Sequence, residues 1–264
     1  MRPTFFSIGP VAVDSYYVLW GVALCIMVLW TRRRAERIYG ISFNNASDIL
    51  IWVIAGVAVG AVLGGYLDHW TRYVESPIRI LYFWESGLSS GPGFIGGGLA
   101  GLYKIRKLSV SVNSFAESAS IPCASMLFVG RWGCFLNGCC QGISTDSSYG
   151  VRFPSNPSVR VFPSQLYESF ASLIIAVILI FMERYLTRKY GNASRGAILW
   201  PAFCIMYGLY RFVFDFLRAG DRIFGLRVGQ YAGLGALIIG VFWLFWSLNR
   251  MVRVSSAVHD GKSV

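Results

Sequence analysis

The stretch Gly130-Arg131-Trp132-Gly133-Cys134-Phe135-Leu136-Asn137-Gly138-Cys139-Cys140-Gln141-Gly142 decides the topology of this chain. It starts inside an apolar run over about 118–137 and ends in a polar loop, with one arginine and three cysteines in thirteen residues. If that run crosses a membrane by itself, the chain has seven spans and its basic loops alternate in side. If it merges with the glycine-broken run before it, the alternation is lost.

Composition requires a membrane protein. The 264 residues are 55% hydrophobic with a mean hydropathy of +0.53, and the apolar residues lie in several long segments; a soluble core of this length does not need such runs. Seven runs, at about 11–30, 48–67, 87–103, 118–137, 165–182, 197–217 and 228–247, are long enough or nearly so to cross roughly 30 Å of hydrocarbon. The first keeps its basic cluster, Thr31-Arg32-Arg33-Arg34, behind the apolar stretch, the reverse of a cleaved signal peptide, so it is expected to remain as a span.

The net charge of +11 does not indicate nucleic acid, because of where it falls. Arg32, Arg33, Arg34 and Arg37 occupy one loop, Lys104, Arg106 and Lys107 another, Arg184, Arg188, Lys189 and Arg195 a third, and Arg250, Arg253 and Lys262 the last. With seven spans all four lie on one side, which the positive-inside rule makes cytoplasmic. The expected fold is therefore an all-α integral membrane protein of about seven transmembrane helices, N-terminus outside and C-terminus cytoplasmic. No linker or internal repeat divides it, so residues 1–264 are expected to form a single multi-pass domain, with 255–264 as a disordered tail. Two long outer loops follow, 68–86 and 138–164, the second fixed but irregular and holding Pro154, Pro157 and Pro163.

Charged side chains in hydrocarbon cost at least about 2.5–3.5 kcal/mol unless they face partners or water, so they mark function. Four regions carry them or their polar neighbours: Asp14 to Tyr17, Arg131 with Asn137, Gln165 to Glu168, and Tyr207 to Arg218. In the last, Tyr207, Arg211, Asp215 and Arg218 are spaced by four, four and three and fall on one helical face. That face either holds an internal Arg–Asp pair or lines a polar cleft. Arg131 makes the surplus of positive charge larger, and guanidiniums with few internal carboxylates suit a phosphate group. The glycines of Phe94 to Gly101 either let helices approach closely or line a pocket with backbone N–H groups.

Phe6 to Ala12 (FSIGPVA), Tyr16-Tyr17, Trp84 to Gly87 (WESG), Gly97 to Leu99 (GGL), Gly130 to Gly138 (GRWGCFLNG), Pro163 to Glu168 (PSQLYE), Tyr207 to Arg218 (YGLYRFVFDFLR) and Gly229-Gln230 follow one another along nearly the whole chain. In that order they resemble the bacterial prolipoprotein diacylglyceryl transferase family. The resemblance implies a seven-span inner-membrane enzyme that moves the diacylglyceryl group of phosphatidylglycerol to the lipobox cysteine of a preprolipoprotein signal peptide. A thioether forms and glycerol phosphate leaves. It implies membrane lipids as surroundings, and no cofactor, metal or nucleic acid.

Carried over residue by residue, the resemblance makes Arg131, Arg211, Tyr207, Asp215 and Tyr16 the candidate catalytic residues; Asp215 stands where the family usually has glutamate. Asn137, Gly138, Gly97, Gly98, Gln165 and Arg218 join Arg131 and Arg211 as candidate substrate-binding residues. Several positions depart from the pattern: Gly96 replaces a histidine linked to thiol deprotonation, Cys134 an asparagine, Cys139 a glutamate, Val62 an arginine and Phe162 a histidine. A divergent relative with another acceptor, or a phospholipid-binding or transport protein without chemistry, are the competing expectations.

Cys25, Cys123 and Cys204 lie in apolar runs and read as small apolar side chains. Cys134, Cys139 and Cys140 admit three readings: a structural pair of Cys134 with one of the others, a catalytic thiol activated beside Arg131, or inert packing. A zinc site lacks an evident fourth ligand, since His69 and His259 are the only histidines and His259 is expected in the cytoplasm.

Overall fold

A computed structural model describes residues 4–8, 11–78, 82, 89–190, 197–219 and 224–259. The WESG motif at Trp84 to Gly87 lies outside these residues. Each of the seven apolar runs contains a helix: α1 (Ser15–Tyr39), α2 (Phe43–Asp68), α4 (Ser90–Lys107), α5 (Val112–Asn137), α6 (Ser164–Tyr190), α7 (Leu199–Phe214) and α8 (Val228–His259). A short helix, α3 (Trp70–Glu75), lies in the expected loop 68–86.

Five of these helices, α1, α2, α5, α6 and α8, are long and apolar enough to cross a membrane. This is a multi-pass membrane protein. The other two are marginal for identifiable reasons. Helix α7 has 16 residues, about 24 Å at 1.5 Å per residue, short of the hydrocarbon thickness. Helix α4 has 18 residues and ends in Lys104, Arg106 and Lys107.

Two antiparallel ribbons interrupt the helical pattern. Strands β1 (Thr4–Ile8) and β2 (Val11–Asp14) pair with Phe6 opposite Val13, so residues 11–14 of the first apolar run are strand and the helix begins at Ser15. Strands β3 (Val151–Phe153) and β4 (Asn156–Val161) pair Val151 with Val161 and Arg152 with Arg160. The loop 138–164 is thus more ordered than its prolines suggest. Helix α8 runs through to His259, which takes in the first half of the expected tail; residues 260–264 lie outside the described residues.

The chain divides into two compact units, Met1–Thr31 with Ala116–Val264, and Arg32–Phe115. In the first, Ile121 and Ala124 of α5, Ile175, Ala176 and Leu179 of α6, and Leu199, Phe203, Cys204 and Tyr210 of α7 form a buried apolar cluster. Residues on the other faces, such as Ile174, Phe181, Ile238 and Phe242, are exposed and apolar, as helices facing lipid require. Helices α7 and α8 meet backbone to backbone: a Cβ at Gly208 would stand 2.5 Å from the Gly233 carbonyl oxygen.

Glycine also builds the second unit. A Cβ at Gly56 of α2 would stand 2.5 Å from the Gly96 carbonyl oxygen of α4, and one at Gly97 would stand 2.5 Å from Val57 Cγ2. This stretch is therefore helix-packing material along much of its length, while Gly98 has open space around it. Lys104 of α4 pairs with Asp48 of α2 at 2.9 Å.

Candidate functional site

The site of the first unit is organised around a residue that sequence spacing did not single out. Glu168 sits in the second turn of α6 with 1% of its surface exposed. Arg131 of α5 reaches its Oε2 with Nη2 at 2.6 Å, Arg211 of α7 donates Nη1 to its Oε1 at 2.9 Å, and Arg218 approaches the same Oε1 at 3.5 Å. Asp215, also buried, adds weaker contacts to Arg211 at 3.4 Å and to Arg218 at 4.0 Å.

Two expectations change here. The first is the helical face shared by Tyr207, Arg211, Asp215 and Arg218. Helix α7 ends at Phe214, residues Asp215–Leu217 form a single 3-10 turn, and Arg218 is extended. The three charged residues still meet, because the tighter turn swings Arg218 back onto the site. The second concerns pairing: Arg211 bonds Glu168 more closely than Asp215, so the main internal partner is on α6, not within α7. Three guanidiniums face two carboxylates, and one positive charge remains in excess. Arg227, just before α8, adds another and donates Nη1 to the Asp215 and Phe216 carbonyls.

The first turns of α6 and α8 fit tightly around this cluster. Ser169 Oγ donates to the Phe128 carbonyl at 2.8 Å, which locks α6 onto α5 one residue beyond Glu168. A Cβ at Gly229 would stand 2.5 Å from Asp215 Oδ1 and 2.7 Å from Arg211 Nη2, so any other residue at the start of α8 would displace these two charged groups. Tyr210 is buried, its hydroxyl 3.3 Å from Ser172 Oγ, and its charge environment includes Arg131 and Glu168. Among the described residues of this cluster, Arg131 Nε and Gln165 Oε1 are buried without a hydrogen-bond partner, and Glu168 Oε2 has only its ion pair with Arg131. Leaving such atoms unpaired costs about 1–3 kcal/mol each.

The cysteines converge beside the arginines. Helix α5 ends in a Schellman motif: Gly138 has φ +72°, its N–H donates to the Phe135 carbonyl at 3.2 Å, and the Cys139 N–H donates to the Cys134 carbonyl at 3.1 Å. Cys140 then takes φ +60°, a conformation unusual for a residue with a side chain. The sulfurs of Cys134, Cys139 and Cys140 come within 4.8 Å of one another. All three thiols are free. Hydrogen bonds from the Cys134 and Cys139 thiols, assisted by the charges of Arg218 and Arg131, hold the Cys140 thiol below the ordinary thiol range. Hydrogen bonding with Cys134 and Cys140 pushes Cys139 the opposite way.

Gln165 donates Nε2 to the Cys139 carbonyl at 2.6 Å, and Ser164 donates Oγ to the Cys140 carbonyl at 2.9 Å, so PSQLYE clamps the cysteine loop at one end and presents Glu168 at the other. Tyr16 is half-buried in the first turn of α1, its ring edge-on to that of Tyr17. Gly133 allows its approach, since a Cβ there would come within 3.3 Å of the Tyr16 carbonyl oxygen. Tyr207 lies one turn before Arg211, stacked on Phe203 and edge-on to Tyr210. Asn137 is exposed at the end of α5. Gly97 and Gly98 belong to α4 in the second unit.

Fold and site together define a multi-pass membrane protein with a buried, positively biased arginine cluster suited to an anionic phosphate group. The profile of the prolipoprotein diacylglyceryl transferase family matches residues 3–246, and the chain belongs to that family. Among curated proteins it is 31% identical over 241 residues to the phosphatidylglycerol–prolipoprotein diacylglyceryl transferase of Geobacter sulfurreducens, covering 89% of each chain. It is 29% identical over 249 residues to the protein of that name from Rickettsia conorii, covering 92% of this chain and 95% of the relative. Its identity to the one from Brucella anthropi is 28% over 263 residues, covering 94% and 92%.

Proposed function

We propose that this chain transfers the diacylglyceryl group of phosphatidylglycerol to the cysteine thiol of prolipoproteins in the bacterial inner membrane. The observation that carries the reading is the meeting of Arg131 from α5 with Arg211 and Arg218 from α7 and the turn after it on the buried carboxylate of Glu168. Family membership supplies the reaction; the cluster supplies a reason for it.

Three guanidiniums would repel one another in a site of low dielectric, and Glu168 holds them together through one Nη of each, which leaves their other donors for a ligand. The phosphodiester of the lipid brings one negative charge to a site with positive charge in excess and with Arg131 Nε unpaired. As the bond from the glyceryl carbon to the phosphate oxygen breaks, the leaving glycerol phosphate gains charge beside Arg131, Arg211 and Arg218, where fixed donors stabilise it. The thiol sulfur takes the glyceryl carbon, and the thiol proton is lost. Asp215 and Gly229 position Arg211, while Gln165 and Ser164 position the cysteine loop.

In this reading α4 and α7 complete seven spans, the basic loops face the cytoplasm, and the N-terminus lies outside. Tyr16, Tyr207, Asn137 and Gly138 belong to the substrate-facing set of the first unit, and Gly97 and Gly98 remain candidate substrate-binding residues within the second. Complementation tests the reading: expressed in cells depleted of their own diacylglyceryl transferase, the chain should restore growth and lipoprotein lipidation. Failure of abundant, membrane-inserted protein to do so would reject it.

A further inference from the structure

We propose that Cys134, Cys139 and Cys140 form a binding site for Zn2+ whose open fourth position takes the acceptor's cysteine as a thiolate. The metal site stands on the geometry of this chain alone; the acceptor step rests on the transferase reading above.

Four observations support it. The three sulfurs lie within 4.8 Å of one another. At a Zn–S bond of about 2.3 Å, tetrahedral ligands stand roughly 3.8 Å apart, so a contraction of about 1 Å closes the site. Second, the convergence is built by the backbone: the Schellman turn at Gly138 carries the chain back toward Cys134, and Cys140 accepts φ +60° to follow it. A left-handed residue with a side chain costs roughly 1–2 kcal/mol, a strain that persists where surrounding structure fixes it, as in ligand clamps.

Third, the carbonyls of all three cysteines are hydrogen-bonded, those of Cys139 and Cys140 by side chains of α6. Cys134 accepts from the Cys139 N–H, Cys139 from Gln165 Nε2 at 2.6 Å, and Cys140 from Ser164 Oγ at 2.9 Å. Such outer contacts are what orients metal ligands. Fourth, charge is compensated. Arg131 lies one turn before Cys134 on α5, and the bridge between Gly142 and Arg218 brings Arg218 to the cysteine loop, so the negative charge of a three-thiolate zinc site has guanidiniums near it.

Thiolate softness selects a zinc-like ion over Mg2+ or Ca2+, and three protein ligands with one open position is the arrangement of zinc sites that do chemistry rather than hold a fold. The missing fourth ligand thereby becomes the point of the site. The acceptor thiol has to lose its proton in this transfer. A thiol that coordinates Zn2+ is deprotonated outright. The step balances without a redox change: the acceptor S–H releases its proton to solvent, the sulfur forms a bond to the glyceryl carbon, and the C–O bond to phosphate breaks. That electron pair leaves on glycerol phosphate.

The test uses the full-length protein in detergent, reduced and stripped of metal, then titrated with Co2+ and back-titrated with Zn2+. One Co2+ per chain should bind with sulfur-to-cobalt charge-transfer bands, and Zn2+ should displace it. Cys134→Ser, Cys139→Ser and Cys140→Ser should each weaken or remove the bands, and Cys25→Ser should leave them unchanged. In the parent protein, which needs no substitution, Zn2+ should protect these three thiols from alkylation as mapped by mass spectrometry. A peptide with one acceptor cysteine should intensify the bands, and its serine counterpart should not. Stripping should slow thioether formation at least about tenfold, since only a few per cent of an ordinary thiol is thiolate at neutral pH.

Absence of the bands and of protection would overturn the metal site, as would a disulfide among the three in protein isolated without reductant from the membrane. Transfer by stripped protein at the parent rate would overturn the activation step and leave the transferase reading intact. Metal-loaded protein that shows the bands but neither makes thioether nor releases glycerol phosphate would overturn the transferase reading and leave the metal site standing.

Discussion

Replacing Glu168 with glutamine keeps the shape of the side chain and removes the charge that three guanidiniums share. In the structure its two oxygens lie 2.6, 2.9 and 3.5 Å from Arg131, Arg211 and Arg218, with 1% of the residue exposed. Breaking a buried ion pair by removing one partner costs about 3–5 kcal/mol, and here the loss strands more than one cation. Asp215 offsets part of it through Arg211. Stability of Glu168→Gln in detergent should therefore fall by about 3–5 kcal/mol, measured by reversible unfolding. Adding Arg131→Gln should return some of that loss, because the double change removes charges of both signs and residues in one network couple by about 0.5–3 kcal/mol.

Kinetics should separate in a diagnostic way. If the lipid phosphate binds where we propose, Glu168 competes with it for the guanidiniums, so its removal should leave KM for phosphatidylglycerol unchanged or lower. The arginines lose their common anchor, so kcat should fall at least about tenfold, equivalent to 1.4 kcal/mol in the barrier. A Glu168→Gln protein with the parent's stability and kcat would refute the reasoning.

Other outcomes follow from the same contacts. Arg131→Ala or Arg211→Ala, folded and abundant, should lower turnover at least about tenfold, with a charge-assisted contact of roughly 1.5–3 kcal/mol lost, and Arg131→Lys should recover only part because it lacks the planar fork. Gly229→Ala should reduce turnover, since its Cβ would meet Asp215 Oδ1 and Arg211 Nη2; full activity would show that α8 yields without disturbing Arg211. Gly96→His should lower expression or thermal stability without raising activity, because the side chain collides with the Gly56 carbonyl. Reporter fusions after Arg37, Lys107 and Arg195 should all report cytoplasm, and an outer location for any of them would exclude the seven-span topology.

How far the sequence carried the fold differs from element to element. Every apolar run contains a helix, and the run at 118–137 lies wholly within α5, because burial in hydrocarbon leaves a backbone no other way to satisfy its hydrogen bonds. The ribbons β1–β2 and β3–β4 were not visible: they are short, and their pairing rests on turns rather than on a long alternation of apolar and polar residues. The sequence marked Gln165 to Glu168 as polar at the head of an apolar run. It did not show Glu168 as the hub, because its partners lie 37, 43 and 50 residues away and meet it only through helix packing.

The cysteine cluster shows a different limit. Gly138 signals the end of α5, as glycine at such a position often does. Cys140 at φ +60° carries no such signal, since nothing in its residue type predicts a left-handed backbone. The spacing alone therefore favours a structural pair over a reactive thiol or inert packing, whereas in the folded loop the three sulfurs meet as free thiols.

The most direct measurement of the central claim supplies purified protein with phosphatidylglycerol carrying separate labels on its diacylglyceryl group and its glycerol headgroup, plus an acceptor peptide with one lipobox cysteine. The account predicts diacylglyceryl label on the cysteine through a bond that survives alkaline hydrolysis as a thioether, with one glycerol phosphate released for each transfer and none from Arg131→Ala or Arg211→Ala. Label that stays in lipid, or reaches a serine peptide as readily, would contradict it.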